Sequence, residues 1–158
     1  MDDSELAEEL RLTVGHLVRA VRAADTMPAG EAAVLGYLDR DGPQTTADVA
    51  GQRGVSHQSA AKSVKELLAQ GLLWTEPHPS DGRKALLHLT SAGQLRLQQE
   101  RQRRADWLGS AIAAVLTPEE RDTLEACVPL LARLSVHLES RQSRPEDRRG
   151  GGLREHLV

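Results

Sequence analysis

The sequence predicts a mainly α fold with one small β-hairpin. Three observations lead there. Two short helical segments meet at Gly54 within the stretch from Thr45 to Leu68. Two apolar stretches, Leu72 to Trp74 and Ala85 to Leu89, flank a polar segment that contains Asp81-Gly82-Arg83-Lys84. Amphipathic helical stretches lie on both sides of this centre. Together they describe a winged helix-turn-helix with N- and C-terminal dimerisation helices. One domain is expected over 1–140, with the winged helix-turn-helix at 28–95 and the dimerisation helices at 4–24 and 96–140.

Taken in order, residues 4–24 form the first helix. Leu6, Leu10, Thr13, Val14, Leu17, Val18 and Val21 fall on one stripe at helical spacing. Asp25-Thr26 breaks the pattern, and Pro28 suits the first turn of a second helix. That helix turns Ala32, Leu35 and Leu38 inward and stops at Asp41-Gly42-Pro43. Thr45 or Thr46 caps a third helix, since a threonine hydroxyl accepts from an orphan amide; Val49 and Ala50 supply its buried side. Gly54 tolerates the positive φ of a sharp turn. Ser56 then caps a fourth helix, whose buried positions are Ala60, Val64, Leu67 and Leu68. Gln70-Gly71 ends it. Two helices joined by a short glycine-containing turn make a helix-turn-helix.

The other face of the fourth helix is polar. It carries His57, Gln58, Ser59, Lys62, Ser63 and Lys65. Recognition helices place their N-terminal turns against base edges and their basic residues against phosphates. Gln and Ser bond base edges, and Lys62 suits guanine or phosphate. Thr45, Thr46 and Ser56, at the two helix starts, join this candidate DNA-binding set. An ordinary solvated face is the plainer reading of the helix taken alone. The hairpin that follows decides against it. Asp81-Gly82 favours a turn, Leu87 and Leu89 share one strand face, and Arg83 and Lys84 sit near the tip. An arginine there suits the negative potential of a narrow minor groove.

Gly54-Val55-Ser56, Val64, Leu67, Gly71-Leu72-Leu73, Pro79, Asp81-Gly82-Arg83, Leu87, Leu89-Thr90 and Gly93 form a pattern that resembles the MarR family of bacterial transcriptional regulators. The resemblance covers about residues 28–95 by motif and the flanking helices by length and order. It implies that Asp81 braces the wing, that Arg83 enters the minor groove, and that the protein is a dimer on a pseudo-palindromic double-stranded DNA operator. It also implies a small-molecule pocket between the dimer helices and the DNA-reading lobe. By position, His16, Arg19, Tyr37 and Trp107 are its candidates, and Arg19 could pair with an anionic group. Their plainer role is to cover that joint. The chain departs from the family in one place: Trp74-Thr75-Glu76 stands where members often carry arginines before the wing.

Composition bounds these readings. The 158 residues carry a formal net charge of −3, so DNA binding must rest on where charge is placed. Within 45–90, the cations Arg53, Lys62, Lys65, Arg83 and Lys84 nearly balance Asp48, Glu66, Glu76 and Asp81. Phe is absent, the aromatics are Tyr37, Trp74 and Trp107, and only three lysines occur. The arginine bias hints at a high-GC genome. The single cysteine, Cys127, excludes an internal disulfide and suits a reducing cytoplasm. No apolar run spans a membrane, and the acidic N-terminus is no signal peptide.

Thr90 or Ser91 caps a long helix to about Val115, with Leu95, Leu97, Leu108, Ile112 and Val115 as its apolar positions. Its middle, Gln98 to Arg104, reads as polar all round, which suits a strut with solvated basic residues. Thr117-Pro118-Glu119-Glu120 is a capping box with proline at the first helical position. Leu124, Cys127, Val128, Leu131, Leu134 and Leu138 then form a stripe, and Pro129 should kink the helix or remove a bond near Glu125. The stripes of the first and last helices lack partners within one small lobe, and a twofold copy would bury them. Residues 141–158, rich in Arg, Pro, Glu and Gly, read as a disordered tail.

Other functions fit less well. No cofactor is required; an anionic or aromatic effector is the expected ligand. Zinc is a weaker alternative: the six histidines are scattered. Glu31 matches a ligand position of zinc-responsive relatives, but Ala32 follows it and the fifth helix has no histidine. Cys127 reads as a structural cysteine on an apolar stripe rather than a redox switch. The chain shows no motif of hydrolases, phosphate-binding loops or metalloproteases. A winged helix used for protein contact would need an apolar patch where Gln58, Ser59, Lys62, Ser63 and Lys65 stand.

Overall fold

Capping residues set the helix boundaries. The computed structural model describes residues 1–142, in the order α1 (Asp3–Arg22), α2 (Ala29–Asp41), β1 (Gln44–Thr45), α3 (Thr46–Arg53), α4 (His57–Ala69), β2 (Leu73–His78), β3 (Asp81–Leu89), α5 (Ser91–Val115) and α6 (Pro118–Gln142). Asp2 accepts from the amides of Ser4 and Glu5 to start α1. Thr45 and Asp48 form a reciprocal capping box on α3. Gly54 ends that helix in the left-handed region at φ 63°. Ser56 Oγ accepts from Ser59 N at 3.1 Å to start α4. The tail expected at 141–158 lies outside the described residues, apart from Arg141 and Gln142, which finish α6.

By internal contacts the chain divides within α5, into Met1–Ala111 and a second unit from Ile112. In the first unit, Val34, Leu35 and Leu38 of α2 meet Val49 of α3, Val64 and Leu67 of α4, Leu73 of β2, Leu87 of β3 and Leu97 of α5 in one apolar core. Met27, Leu72 and Ala32 complete it. Leu68, expected inward, is 37% exposed. Ala60, Val64 and Leu67 centre the buried arc of α4, and at 100° per residue Leu68 falls at its edge.

The sheet has three antiparallel strands in the order β1-β3-β2. Gln44 pairs with Leu87 and Thr45 with Leu86. The sequence reading contains no β1, because two residues show no alternation. The hairpin turn also differs. It falls at Pro79-Ser80, with the Ser80 amide donating to His78 Nδ1 at 3.2 Å. Asp81 and Gly82 already belong to β3, which pairs with a bulge at Pro77/His78. Proline pre-sets a turn backbone as effectively as Asp-Gly.

The middle of α5 is not a solvated strut. Glu100 is fully buried. Its Oε1 accepts from Thr26 Oγ1 at 2.6 Å and Arg96 Nη1 at 2.5 Å, and its Oε2 from Thr26 N at 3.0 Å. Arg103 Nη1 also donates to Thr26 Oγ1. Arg104 forms a two-pronged pair with Asp25 at 2.6 and 2.8 Å, and Arg101 reaches Asp39 at 2.8 Å. The run that reads as polar all round is therefore a charged stripe seated on the α1–α2 connection and on α2. At the start of α5, Thr90 N donates to Leu72 O at 3.1 Å and Thr90 Oγ1 to Gly71 O at 2.8 Å. A Cβ on Gly93 would overlap the Leu72 carbonyl oxygen. The Leu-Thr-x-x-Gly pattern at 89–93 is thus a clamp on the segment leaving α4.

In the second unit, Thr117 and Glu120 form the expected capping box, at 2.8 and 3.3 Å. α6 continues through Pro129. Leu124, Val128, Leu131, Leu134 and Leu138 are 37–60% exposed, and Cys127 is half-buried. α1, in the first unit, buries no residue, and Leu6, Val14, Leu17 and Val18 are 38–53% exposed. Among the described residues no helix is long and apolar enough to cross a membrane.

The buried Glu100 cluster, an ionic brace on α5, and the Gly93 clamp both bear on stability. Burial acts to raise the Glu100 pKa, but the Thr26 hydroxyl and amide, with the Arg96 and Arg103 charges, outweigh it and hold the carboxyl below its ordinary 4.5. A carboxylate with a depressed folded-state pKa adds stability above its unfolded pKa, and that stability is lost as pH falls through the folded value. Urea midpoints should therefore fall as pH drops below about 4.5, and less steeply in Glu100→Gln; equal acid slopes would exclude a contribution from this charge. Glu100→Ala should cost about 1–3 kcal/mol by leaving the Thr26 hydroxyl and amide without their acceptor. Gly93→Ala should cost about 1–3 kcal/mol through overpacking, read from urea unfolding at pH 7.

Candidate nucleic-acid interface

The core fixes which side of α4 faces outward. With Ala60, Val64 and Leu67 buried, the opposite arc carries Gln58, Lys62 and Lys65, with Ser59 beside it. His57, Gln58, Ser59, Lys62 and Lys65 are all exposed. Ser63 is not part of this face. It is half-buried against α2, where a Cβ on Gly30 would lie 2.6 Å from its Oγ and 3.0 Å from Arg53 Nη2. Thr45 also leaves the outward set: it is buried, and its hydroxyl and amide are both bonded to Asp48. Thr46 is half-buried at the first position of α3, and Ser56 is exposed while capping α4.

The wing presents one cation most openly. The Arg83 side chain is 94% exposed. Asp81 Oδ1 accepts from Arg83 N at 3.1 Å and Arg83 Nε at 3.3 Å, which aims the guanidinium from the start of β3. Lys84 follows it, also exposed. The Asp48 carboxyl is held below its ordinary range chiefly by the Thr45 hydroxyl and amide, with burial opposing and the Lys84 charge adding a little. Trp74-Thr75-Glu76 has a structural occupation. Trp74 stacks on His88, with ring centroids 4.2 Å apart and planes 16° apart, and His88 Nε2 lies 2.7 Å from Glu76 Oε1.

The four effector candidates do not converge. His16 is exposed on α1, and Arg19 lies back along its own helix, 3.4 Å from a Cβ on Gly15. Tyr37 packs on the core, with its hydroxyl 3.5 Å from Gln52 O and the Arg40 guanidinium 5.2 Å from its ring centroid. Only Trp107 borders an open cleft, of about 390 Å³, with Ala24, Arg103, Asp106 and Ser110. Sequence reasoning missed Arg103, although it lies one turn before Trp107 on α5 and shares its helix face by spacing. Among the described residues no three or more His, Cys, Asp or Glu side chains group to hold a metal ion. Glu31 is buried and accepts from Gln70 Nε2 at 3.2 Å.

A polar helix exposed over a packed helix-turn-helix, beside a hairpin with an aimed arginine, defines the class of winged helix-turn-helix proteins. The MarR family model matches residues 25–84. A transcriptional regulator from Pseudomonas aeruginosa of known structure is 31% identical, with a TM-score of 0.72, over 84% of this chain and 96% of that one. A Mycobacterium tuberculosis HTH-type transcriptional regulator is 28% identical over 135 residues, covering 84% of this chain and 94% of its own length. The structure of MepR from Staphylococcus aureus bound to an oligodeoxyribonucleotide shares the fold, with a TM-score of 0.59 at 17% identity over 83% of this chain and 96% of that one. The chain belongs to the MarR family of transcriptional regulators.

The exposed face of α4 carries both cations, suited to phosphates, and a neutral amide, suited to a base edge. Lys65→Ala should weaken binding about equally on all duplexes and lower the salt slope by about one, as loss of one phosphate contact does. Gln58→Ala should relax discrimination at one base position, by about 1–3 kcal/mol. Electrophoretic titration at two salt concentrations distinguishes the two patterns; the reverse assignment would show that α4 is turned differently in the groove.

Proposed function

We propose that this protein is a homodimeric, sequence-specific regulator that binds double-stranded DNA and acts as a repressor. The observation that carries the reading is the outward strip of Gln58, Lys62 and Lys65 beside the freely exposed Arg83. In this reading α4 enters the major groove and Arg83 reaches the flanking minor groove. That MepR, of the same fold, is bound to an oligodeoxyribonucleotide supports it. The exposed apolar stripes of α1 and α6 support the dimer, since contiguous apolar faces mark interaction surfaces. Two copies related by a twofold axis would read a pseudo-palindrome with half-sites about one helical turn apart. The protein works in the cytoplasm and requires no cofactor.

An effector fits the cleft at Trp107 better than any grouping of His16, Arg19 and Tyr37. An aromatic anion could stack on the indole, which is 58% exposed, and pair with the Arg103 guanidinium. It would act by shifting a two-state dimer between DNA-binding and released forms.

The test is a titration of the purified protein against its own upstream DNA, with random duplex as control, alongside light scattering for mass. Tight, salt-dependent binding of one fragment by a dimer is the expected result. A monomer, or equal weak binding to every duplex, would overturn the reading. Arg83→Ala should lose at least about tenfold in affinity, or roughly 1.4 kcal/mol, with an unchanged unfolding midpoint. Unaltered binding by that folded variant would remove the minor-groove role. Benzoate should quench Trp107 emission in wild type and less so in Arg103→Ala.

A further inference from the structure

Few apolar contacts fix the direction in which α5 leaves the DNA-reading elements. Over Arg96 to Arg104 the buried residues are Leu97 and Glu100 alone. The polar contacts of this stretch are numerous. Glu100 is bonded to Thr26 and Arg96, Arg96 and Arg103 both donate to Thr26 Oγ1, Arg104 grips Asp25, and Arg101 meets Asp39. One end of this stretch follows the clamp at Thr90 and Gly93, which holds α5 to the segment leaving α4. The other end continues as helix through Ala111. Seven residues of helix span about 10 Å. A 10° change of direction at Arg104 would displace that end by about 2 Å in each copy, or about 4 Å between two copies, comparable to the roughly 3.4 Å rise of one base step along a strand.

We propose that Glu100 is the positioning residue of this regulator: the ionic brace it centres sets the separation at which two copies place their α4 helices on DNA. The inference rests on the dimeric reading above. It assigns to Glu100, Thr26, Arg96 and Arg104 a role in choosing half-site spacing, although none of them is on α4 or on the wing. The two guanidinium groups that converge on Thr26 Oγ1 repel one another, and the Glu100 carboxylate, bonded to Arg96 and 3.9 Å from Arg103, offsets that repulsion. Removing that charge frees α5 to change direction while leaving the base-reading face intact.

The experiment first selects a preferred palindrome from a random duplex pool with the wild-type protein. Duplexes are then made with its half-sites one base pair closer and one further apart, together with a single half-site. Wild type is expected to prefer its own spacing by about tenfold or more. Glu100→Gln is expected to bind the three spacings within about threefold of one another, with single-half-site affinity and helical circular dichroism unchanged. Thr26→Val removes the hydroxyl at which Glu100, Arg96 and Arg103 meet, and carries the same expectation should Glu100→Gln not fold. A folded variant that keeps the wild-type spacing preference overturns the proposal and leaves the dimeric reading standing. Wild-type protein with no spacing preference overturns the dimeric reading, and the proposal with it.

Discussion

A carboxylate with no solvent exposure is the constraint on which the arrangement of the first unit depends. Burying a charge is costly unless every lone pair finds a donor. Glu100 meets that demand with the Thr26 amide, the Thr26 hydroxyl and Arg96. None of these donors tolerates much displacement, so the connection between α1 and α2 has one place to sit against α5. Leu97, a turn away, enters the apolar core. The two residues bind the same helix in different ways: Leu97 contributes non-directional burial, and Glu100 contributes direction.

The clamp at Gly93 extends that constraint to the DNA-reading elements. The Leu72 carbonyl, on the exit from α4, accepts the Thr90 amide and lies against the bare Cα of Gly93. Strand β1 adds a second tie, pairing the residues before α3 to β3 of the wing. Helix α4, wing and α5 are thus held by short-range contacts whose geometry leaves little slack. The Arg83 guanidinium projects from this body, bonded to Asp81 yet open to solvent. A basic group open to solvent in this way is free to enter a groove, and the Asp81 contact biases its direction.

Much of this was legible in the sequence where the signal is local. The α4 core face followed from periodicity at Ala60, Val64 and Leu67, and the caps at Thr45, Ser56 and Thr117 from single side chains. The errors also have local causes. Leu68 is apolar but lies at the rim of its arc. Pro79-Ser80 competed with Asp81-Gly82 for the turn, and the proline won. Thr45 and Ser63 are polar residues at plausible positions, yet one spends its hydroxyl on a cap and the other packs beside Gly30. The polarity of the α5 middle was read correctly, and its meaning was not. Arg96, Glu100, Arg103 and Arg104 share a helix face by spacing, but solvent and a buried partner look alike from that face alone.

By itself the sequence determined the order of the helices and the hairpin, the helix-turn-helix, the wing and the family pattern that links them. These depend on residues within about one or two turns of each other, where caps, turns and amphipathic periods act. Only the tertiary structure decided that Glu100 is buried, that Thr26 joins it across 74 residues of chain, that a two-residue strand completes the sheet, and that Ala24 borders the cleft at Trp107. Those contacts depend on where distant segments meet. One chain read residue by residue carries no measure of that proximity.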